Sequence, residues 1–315
     1  MENIKKIPVI LDGDPGHDDA IAWVVAKASP VLDIRAVTTV CGNQTLEKTT
    51  YNAQRICTLI GLDAPIAKGR PRPLFTDPMV APNVHGQTGL DGPVLPEPKM
   101  DVQDISAVEL MARTLRESDE KITLIPTGPL TTIASLLLTH PELKDKIAHI
   151  YMMGGGIAYG NWTPAAEFNV YVDPEAADML FASGIPVVMC GLDVTLKAKI
   201  MPPEIDILAE YGPQGSFLSR ALKTSLAFTT SLGFDGVFLH DVCPIFYCVE
   251  PELFTTELAG VRVETKGRYT AGKTVTDLYS DYQFDFKNTL VVLDVDREAF
   301  VEKFMGLMAK YGRQA

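Results

Sequence analysis

Residues 10–20 read ILDGDPGHDDA, an apolar run that ends where four carboxylates, Asp12, Asp14, Asp18 and Asp19, fall within eight positions. Ile7, Val9, Ile10 and Leu11 form a candidate buried strand, Gly13, Pro15 and Gly16 a turn, and Asp18 and Asp19 the acidic first turn of a helix running to Ala28. Strand, tight turn and helix in that order open an α/β sheet, and such sheets bind ligands outside the carboxyl ends of their strands. Four negative charges this close repel one another unless something positive sits among them. Carboxylate and carbonyl oxygens suit Ca2+, which takes them in flexible number, whereas Mg2+ usually keeps waters and works beside phosphates. A purely structural role, with Asp18 and Asp19 complementing the helix dipole, does not account for two further acids at the end of a buried strand.

Working outward, the first 190 residues keep alternating apolar runs with helical periodicity, the pattern of βαβ units around a parallel sheet. Strands are predicted at 9–11, 34–40, 122–126, 147–153 and 185–189, and helices at 18–28, 45–60, 104–118, 130–139 and 174–182. Asp173 and Pro174 form a cap and first-turn pair. The stretch 70–99 is too rich in proline and glycine for a helix or central strand and reads as a long surface loop, with Asn83, His85, Gln87, Thr88 and Asp91 at its polar centre. Beyond residue 200 the chain is helical around 217–226, β-rich from 258 to 293, and helical again from 297 to 310. The expected architecture is one α/β domain over 1–315: a single open, mainly parallel, Rossmann-like sheet with helices on both faces and a small C-terminal β-containing extension folded onto it.

With 46% apolar and 22% charged residues in 315, the composition is that of a globular protein with a sizeable core. A formal charge of −12 argues against nucleic acid or anionic membrane as a partner, since both demand basic surface. The charged start at 1–6 leads only into a short strand, so neither leader nor membrane span is expected and the protein should be cytoplasmic. Five scattered cysteines without a Cys-x-x-Cys pair speak against a disulfide framework or thiolate zinc; Cys41, before Gly42 and Asn43, is a conceivable nucleophile.

Several motifs compete. GRYTAGKT at 267–274 matches the phosphate-binding loop formally, but Val275, Asp277 and Tyr279 continue in β fashion where a helix is required, and too little chain follows for a nucleotide-binding core. MGGGIAYG at 153–160 misses the dinucleotide spacing and is better read as a close backbone approach to a substrate. Asp12 and Asp14 after an apolar strand also suggest a Mg2+-dependent aspartyl phosphatase with Asp12 as nucleophile, although Pro15 stands where that class usually has Thr or Val. His240-Asp241 suits one oxygen ligand beside one proton donor.

Taken together, DGDPGHDDA at 12–20, CGNQT at 41–45, NVHGQTGLDGP at 83–93, PTGPLT at 126–131, MGGG at 153–156, GNWTPAAEFNVYVDPEAA at 160–177 and LHD at 239–241 resemble the nucleoside hydrolase family. Within it the chain is most similar to bacterial ribonucleoside hydrolases that favour pyrimidines. The resemblance implies hydrolysis of a ribonucleoside to ribose and free base. It implies Ca2+ held by Asp14, Asp19, the Thr127 carbonyl and Asp241, with Asp14 also the general base and Asp12 an acid that positions its neighbours. It places Asp18, Asn43 and Asn169 at the ribose 2′- and 3′-hydroxyls, Asn161 and Glu167 around the 5′-hydroxyl, and Met153 along the sugar; His85 and His240 lie at the base end, where a proton must reach the leaving group. It also implies a homo-oligomer, dimer or tetramer.

The residue types make chemical sense: breaking a ribosidic bond develops oxocarbenium charge, which carboxylates and amide oxygens stabilise more in the transition state than in the ground state. One departure stands out. Pyrimidine-favouring relatives carry Gln and Tyr twelve and eight residues before the histidine matching His240, and here those positions are Phe228 and Leu232. Phe228 can stack on a base but cannot protonate it. The 83–93 loop also lacks the tryptophan with which purine-specific members stack on the base. A nucleoside-binding protein without turnover is therefore a third reading beside hydrolase and phosphatase.

Overall fold

The computed structural model describes residues 5–279 and 284–312. Residues 1–4, part of the charged start, and 280–283, within the stretch read as β-rich, lie outside the described residues. Eleven strands are present among the described residues: β1 Ile7–Gly13, β2 Leu32–Thr39, β3 Ile66–Lys68, β4 Ile122–Pro126, β5 Ile147–Met153, β6 Val187–Cys190, β7 Lys199–Ile200, β8 Val237–Phe238, β9 Phe254–Val263, β10 Thr274–Asp277 and β11 Thr289–Val295. Nine form one sheet in the order β10-β9-β11-β6-β5-β4-β1-β2-β3, and β7 pairs with β8 apart from it. From β3 to β6 and on to β11 every pairing is parallel, while β9 runs antiparallel to both β11 and β10.

β1 is central because Val9, Ile10 and Leu11 are fully buried on both faces, as a strand covered by helices on each side must be. One face packs Trp23, Val24, Ile56, Phe217, Phe246 and Phe300, and the other packs Leu110, Met111, Ile133, Leu136 and Phe181, so the two-sided helical cover follows the apolar periodicity of the chain. The long helices match expectation to within a few residues at His17–Ala28, Leu46–Ile60, Ala107–Glu117, Thr131–Thr139, Pro174–Phe181 and Arg297–Gly312, whereas the helix Gly212–Ser231 runs five residues beyond each end of the expected 217–226. Asp173 caps the helix Pro174–Phe181 by accepting from the Ala176 N–H at 3.2 Å, and its other oxygen holds the Thr131 hydroxyl (2.6 Å) and the Leu74 N–H (2.9 Å).

The C-terminal strands do not fold onto the sheet as expected. They lengthen it edge to edge, with β11 between β6 and β9. The 70–99 loop is also less open than its composition suggests: it contains the helical turn Pro82–His85, and His85, Leu90 and Leu95 are buried. No helix among the described residues is long and apolar enough to cross a membrane.

Candidate active site

The sheet reverses its winding direction between β1 and β4, and the acidic residues collect just outside the carboxyl ends of those two strands. β1 ends on Asp12 and Gly13, so Asp14 emerges into the crevice while Asp18 and Asp19 return to it on the first turn of His17–Ala28. β4 delivers Thr127, whose backbone N–H donates to the Asp12 carbonyl at 2.8 Å.

Asp14 is completely buried. Its Oδ2 accepts from the Asn43 N–H at 2.6 Å, and its Oδ1 has no hydrogen-bond partner. Glycines on either side make room for it: a Cβ at Gly42 would overlap Oδ2, and one at Gly128 would fall 2.5 Å from Oδ1. Asp19 accepts from the Thr127 hydroxyl at 2.6 Å and from Gly16 N–H at 3.2 Å, and Asn43 Nδ2 bridges the Asp14 carbonyl (3.2 Å) and Asp19 Oδ2 (3.3 Å). Asp241 caps the helix Val242–Val249 without using its side chain, which faces the same cavity.

Electrostatically the nest is frustrated. Burial, reinforced by Asp19, holds the Asp14 carboxyl well above the usual range, and burial with Asp19, Asp18, Asp14 and Glu167 does the same to Asp241. Burial also raises Asp19 and pushes Asp12 and Asp18 up to about 7. Among the described residues, no three His, Cys, Asp or Glu side chains are gathered into a finished metal cluster. The donors nonetheless fit a hard divalent cation: an unpaired buried oxygen on Asp14, further carboxylates on Asp19 and Asp241, the Thr127 carbonyl, and an excess of negative charge that a cation would relieve. The same ion would reverse the proton affinity of the nest.

A cavity of about 210 Å³ opens beside this nest. Asp18, Asn43, His85, Thr127, Met153, Asn161, Glu167, Asn169, Phe228, His240 and Asp241 all line it. Asp12, Asp14 and Asp19 lie beneath its floor. Asp12 is wholly buried, with Oδ1 accepting from the Thr38 hydroxyl at 2.6 Å and Oδ2 without a hydrogen-bond partner, and like Asp14 and Asp19 it is not among the residues that line the cavity. Cys41 fails as a nucleophile, because burial, with Asp14 and Glu47, pushes its thiol up to about 11. All five cysteines are free and buried.

One wall is polar and rigid. Glu167 begins the short helix Phe168–Val172 and accepts three backbone N–H groups, from Asn169 (2.9 Å), Gly155 (2.9 Å) and Val170 (3.1 Å). Asn161 Oδ1 accepts from the Phe168 N–H at 2.9 Å, while Asn169 Nδ2 donates to the Thr127 carbonyl at 2.8 Å. The lining also has an apolar group, Leu196, Phe228, Leu232, Phe234 and Phe238. His240 has its Nδ1 2.8 Å from the Thr195 hydroxyl, and burial lowers its pKa to about 4. His85 stacks on His17 at 5.6 Å; burial, with His17 and His240, brings it down to about 3.

Sequence reasoning missed several participants. Trp162 lines the cavity from the 160–167 segment, so the site does contain a tryptophan, although not in the 83–93 loop. His17 supports the loop that carries His85, its Nε2 lying 2.8 Å from the Asp91 carbonyl, and Thr195 orients His240. His17 stands in the acidic motif without a role of its own there, and nothing in the sequence linked Thr195 to a residue 45 positions away.

The sequence matches the family described as inosine-uridine preferring nucleoside hydrolase over residues 9–302. It is 52% identical over 309 residues to the pyrimidine-specific ribonucleoside hydrolase RihA of Klebsiella pneumoniae (strain 342), covering 97% of this chain and 99% of that one. The protein of the same name from Photobacterium profundum is also 52% identical, over 308 residues, with 96% and 99% covered. Among solved structures, a purine-preferring ribonucleoside hydrolase from Gardnerella vaginalis superposes with a TM-score of 0.91 at 32% identity, covering 98% of this chain and 100% of that one. The chain belongs to the nucleoside hydrolase family, enzymes that hydrolyse the N-glycosidic bond of ribonucleosides.

Proposed function

We propose that this chain, read as one domain over its whole length, hydrolyses pyrimidine ribonucleosides such as uridine and cytidine to ribose and free base, using Ca2+ and Asp14 as general base. The observation that carries the reading is the buried, unpaired Asp14 Oδ1 among carboxylates beneath a cavity lined by both polar side chains and a group of apolar ones. Asp14, Asp19, Asp241 and the Thr127 carbonyl would hold the cation, which when bound supplies the positive charge that acidifies the attacking water and anchors vicinal hydroxyls.

Asp18, Asn43 and Asn169 orient the 2′- and 3′-hydroxyls, and Asn161 and Glu167 the 5′-hydroxyl, with Met153 beneath the ring. Water attacks C1′, its proton passes to Asp14, and the C1′–N bond breaks with its electron pair leaving on the base. Rings as buried as His85 and His240 are neutral at pH 7, so they hydrogen-bond the charge growing on the base rather than arrive as stored acids. Phe228 supplies a stacking face there. The same-named relatives, pyrimidine-specific at 52% identity, support the base preference. We further expect a homo-oligomer, dimer or tetramer, and a cytoplasmic location.

A panel of uridine, cytidine, inosine and adenosine, scored by released ribose with and without chelator, tests all of this. Uridine and cytidine should lead, and chelation should abolish turnover until Ca2+ is restored. Tight nucleoside binding with no ribose released would instead establish a binding protein without turnover.

A further inference from the structure

The GRYTAGKT stretch opens no helix and so is no nucleotide loop, yet the fold ties it to the backbone behind the active-site cavity wall. It forms the turn between β9 and β10, and its last two residues are tied to the glycine run that follows β5. Thr274 accepts the Gly156 N–H at 2.9 Å and donates its own hydroxyl hydrogen to the Gly156 carbonyl at 2.8 Å. Lys273 Nζ donates to the carbonyls of Gly156 (2.9 Å) and Ile157 (2.5 Å). From the opposite side Asp193 accepts the N–H groups of Ile157 (2.6 Å) and Ala158 (3.0 Å). One short turn of backbone is thus gripped by a cation on its carbonyls and an anion on its amides.

Packing leaves no slack in this arrangement. A Cβ at Gly155, where φ is +76°, would lie 2.7 Å from Thr274 Cγ2, and one at Gly272, where φ is +82°, would lie 2.8 Å from Tyr171 Cα. The gripped turn leads directly to the substrate wall, because the Gly155 N–H is one of the three donors that fix the Glu167 carboxylate, and Glu167 in turn holds the Asn169 N–H.

We propose that Lys273 and Thr274 are positioning residues for the 5′ end of the ribose: the β9–β10 turn acts as a strap that, through Gly155 and Gly156, sets the placement of Glu167. The inference rests on the reading of Asn161 and Glu167 as the 5′-hydroxyl side of the site. Displacing a binding group by a fraction of an ångström weakens the interactions it makes with substrate while leaving chemistry elsewhere intact.

The test compares uridine and inosine, each beside its 5′-deoxy analogue, on the Ca2+-loaded enzyme and on Lys273→Met, Lys273→Arg, Thr274→Val and Thr274→Ser, with thermal unfolding recorded for each. For Lys273→Met and Thr274→Val, kcat/KM on the 5′-hydroxylated substrates should fall about tenfold, chiefly through KM, and by less than about twofold on the 5′-deoxy analogues. The Arg and Ser variants, which keep the donors, should recover most of the loss. Equal losses on both substrates of a pair, or no loss, would overturn the strap alone. An unmodified enzyme indifferent to the 5′-hydroxyl would overturn the assignment of Asn161 and Glu167, and the strap with it.

Discussion

Asp14 shows how function and stability oppose each other at a single residue. Its carboxylate is fully buried, with one oxygen on the Asn43 N–H and the other without a hydrogen-bond partner, and burial keeps its proton affinity high. Replacing it with Asn keeps the shape and a carbonyl oxygen for the Asn43 N–H, but removes both the proton acceptor and the charge. Asp14→Asn should therefore lower kcat by roughly a thousandfold, within the range for loss of a general base, while raising the unfolding midpoint of the metal-free protein. A variant that keeps wild-type turnover in single-turnover assays would remove Asp14 from the mechanism. The four N-terminal acids were legible in the sequence because they sit together at a strand end. Thr195 and Lys273 were not, since their relevance comes from contacts across 45 and 117 residues of chain, made only when the folded sheet has brought distant segments together.

At the level of elements, the long helices were readable because each carries several turns of apolar periodicity, and the Asp173-Pro174 start was readable from cap chemistry. β3, with three residues, is too short to show a period, and the placing of β11 between β6 and β9 depends on pairings that no local pattern encodes. Asp173 is more than a cap, because its carboxylate joins the 70–99 loop, the helix Thr131–Thr139 and the helix Pro174–Phe181 at one buried point. Asp173→Ala removes the cap and strands the Thr131 hydroxyl and the Leu74 amide. The expected loss is about 3 kcal/mol, read from the denaturant midpoint; a loss within experimental error would mean that water replaces all three interactions. The ion pair of Arg262 with Asp178, which also accepts the Val263 N–H at 3.0 Å, ties β9 to the same helix and keeps the C-terminal strands in register with the site.

For the whole molecule, the acidic nest couples folding to both protons and cations. The folded-state proton affinities of Asp12, Asp14, Asp18 and Asp241 are raised above the unfolded value near 4, with Asp12 and Asp18 at about 7. Between those limits the native state holds more protons than the unfolded chain, so metal-free stability should fall as pH rises from about 4 through 7. A cation that binds only the folded, deprotonated nest should reverse that trend. Thermal unfolding with and without Ca2+ at pH 5 and pH 8 checks the sign: the Ca2+-induced increase should be larger at pH 8. An equal or larger increase at pH 5 would show that the ion binds elsewhere.

The place of β11 also governs when the enzyme can come into being during synthesis. β9 and β10 leave the ribosome before the strand that joins them to β6, so for that interval the hairpin lacks its sheet pairing, is held through contacts such as Arg262 with Asp178, and leaves β6 with an open edge. Until then Lys273 and Thr274 are held on the glycine run by a hairpin without its sheet pairing, and the sugar wall is expected to be loose while most of the polypeptide has already emerged. Nascent chains arrested with β11 still in the exit tunnel should therefore be cut readily by protease at the glycine run, and chains arrested after β11 has fully emerged should resist. Early resistance would mean that the catalytic half matures without its last strand.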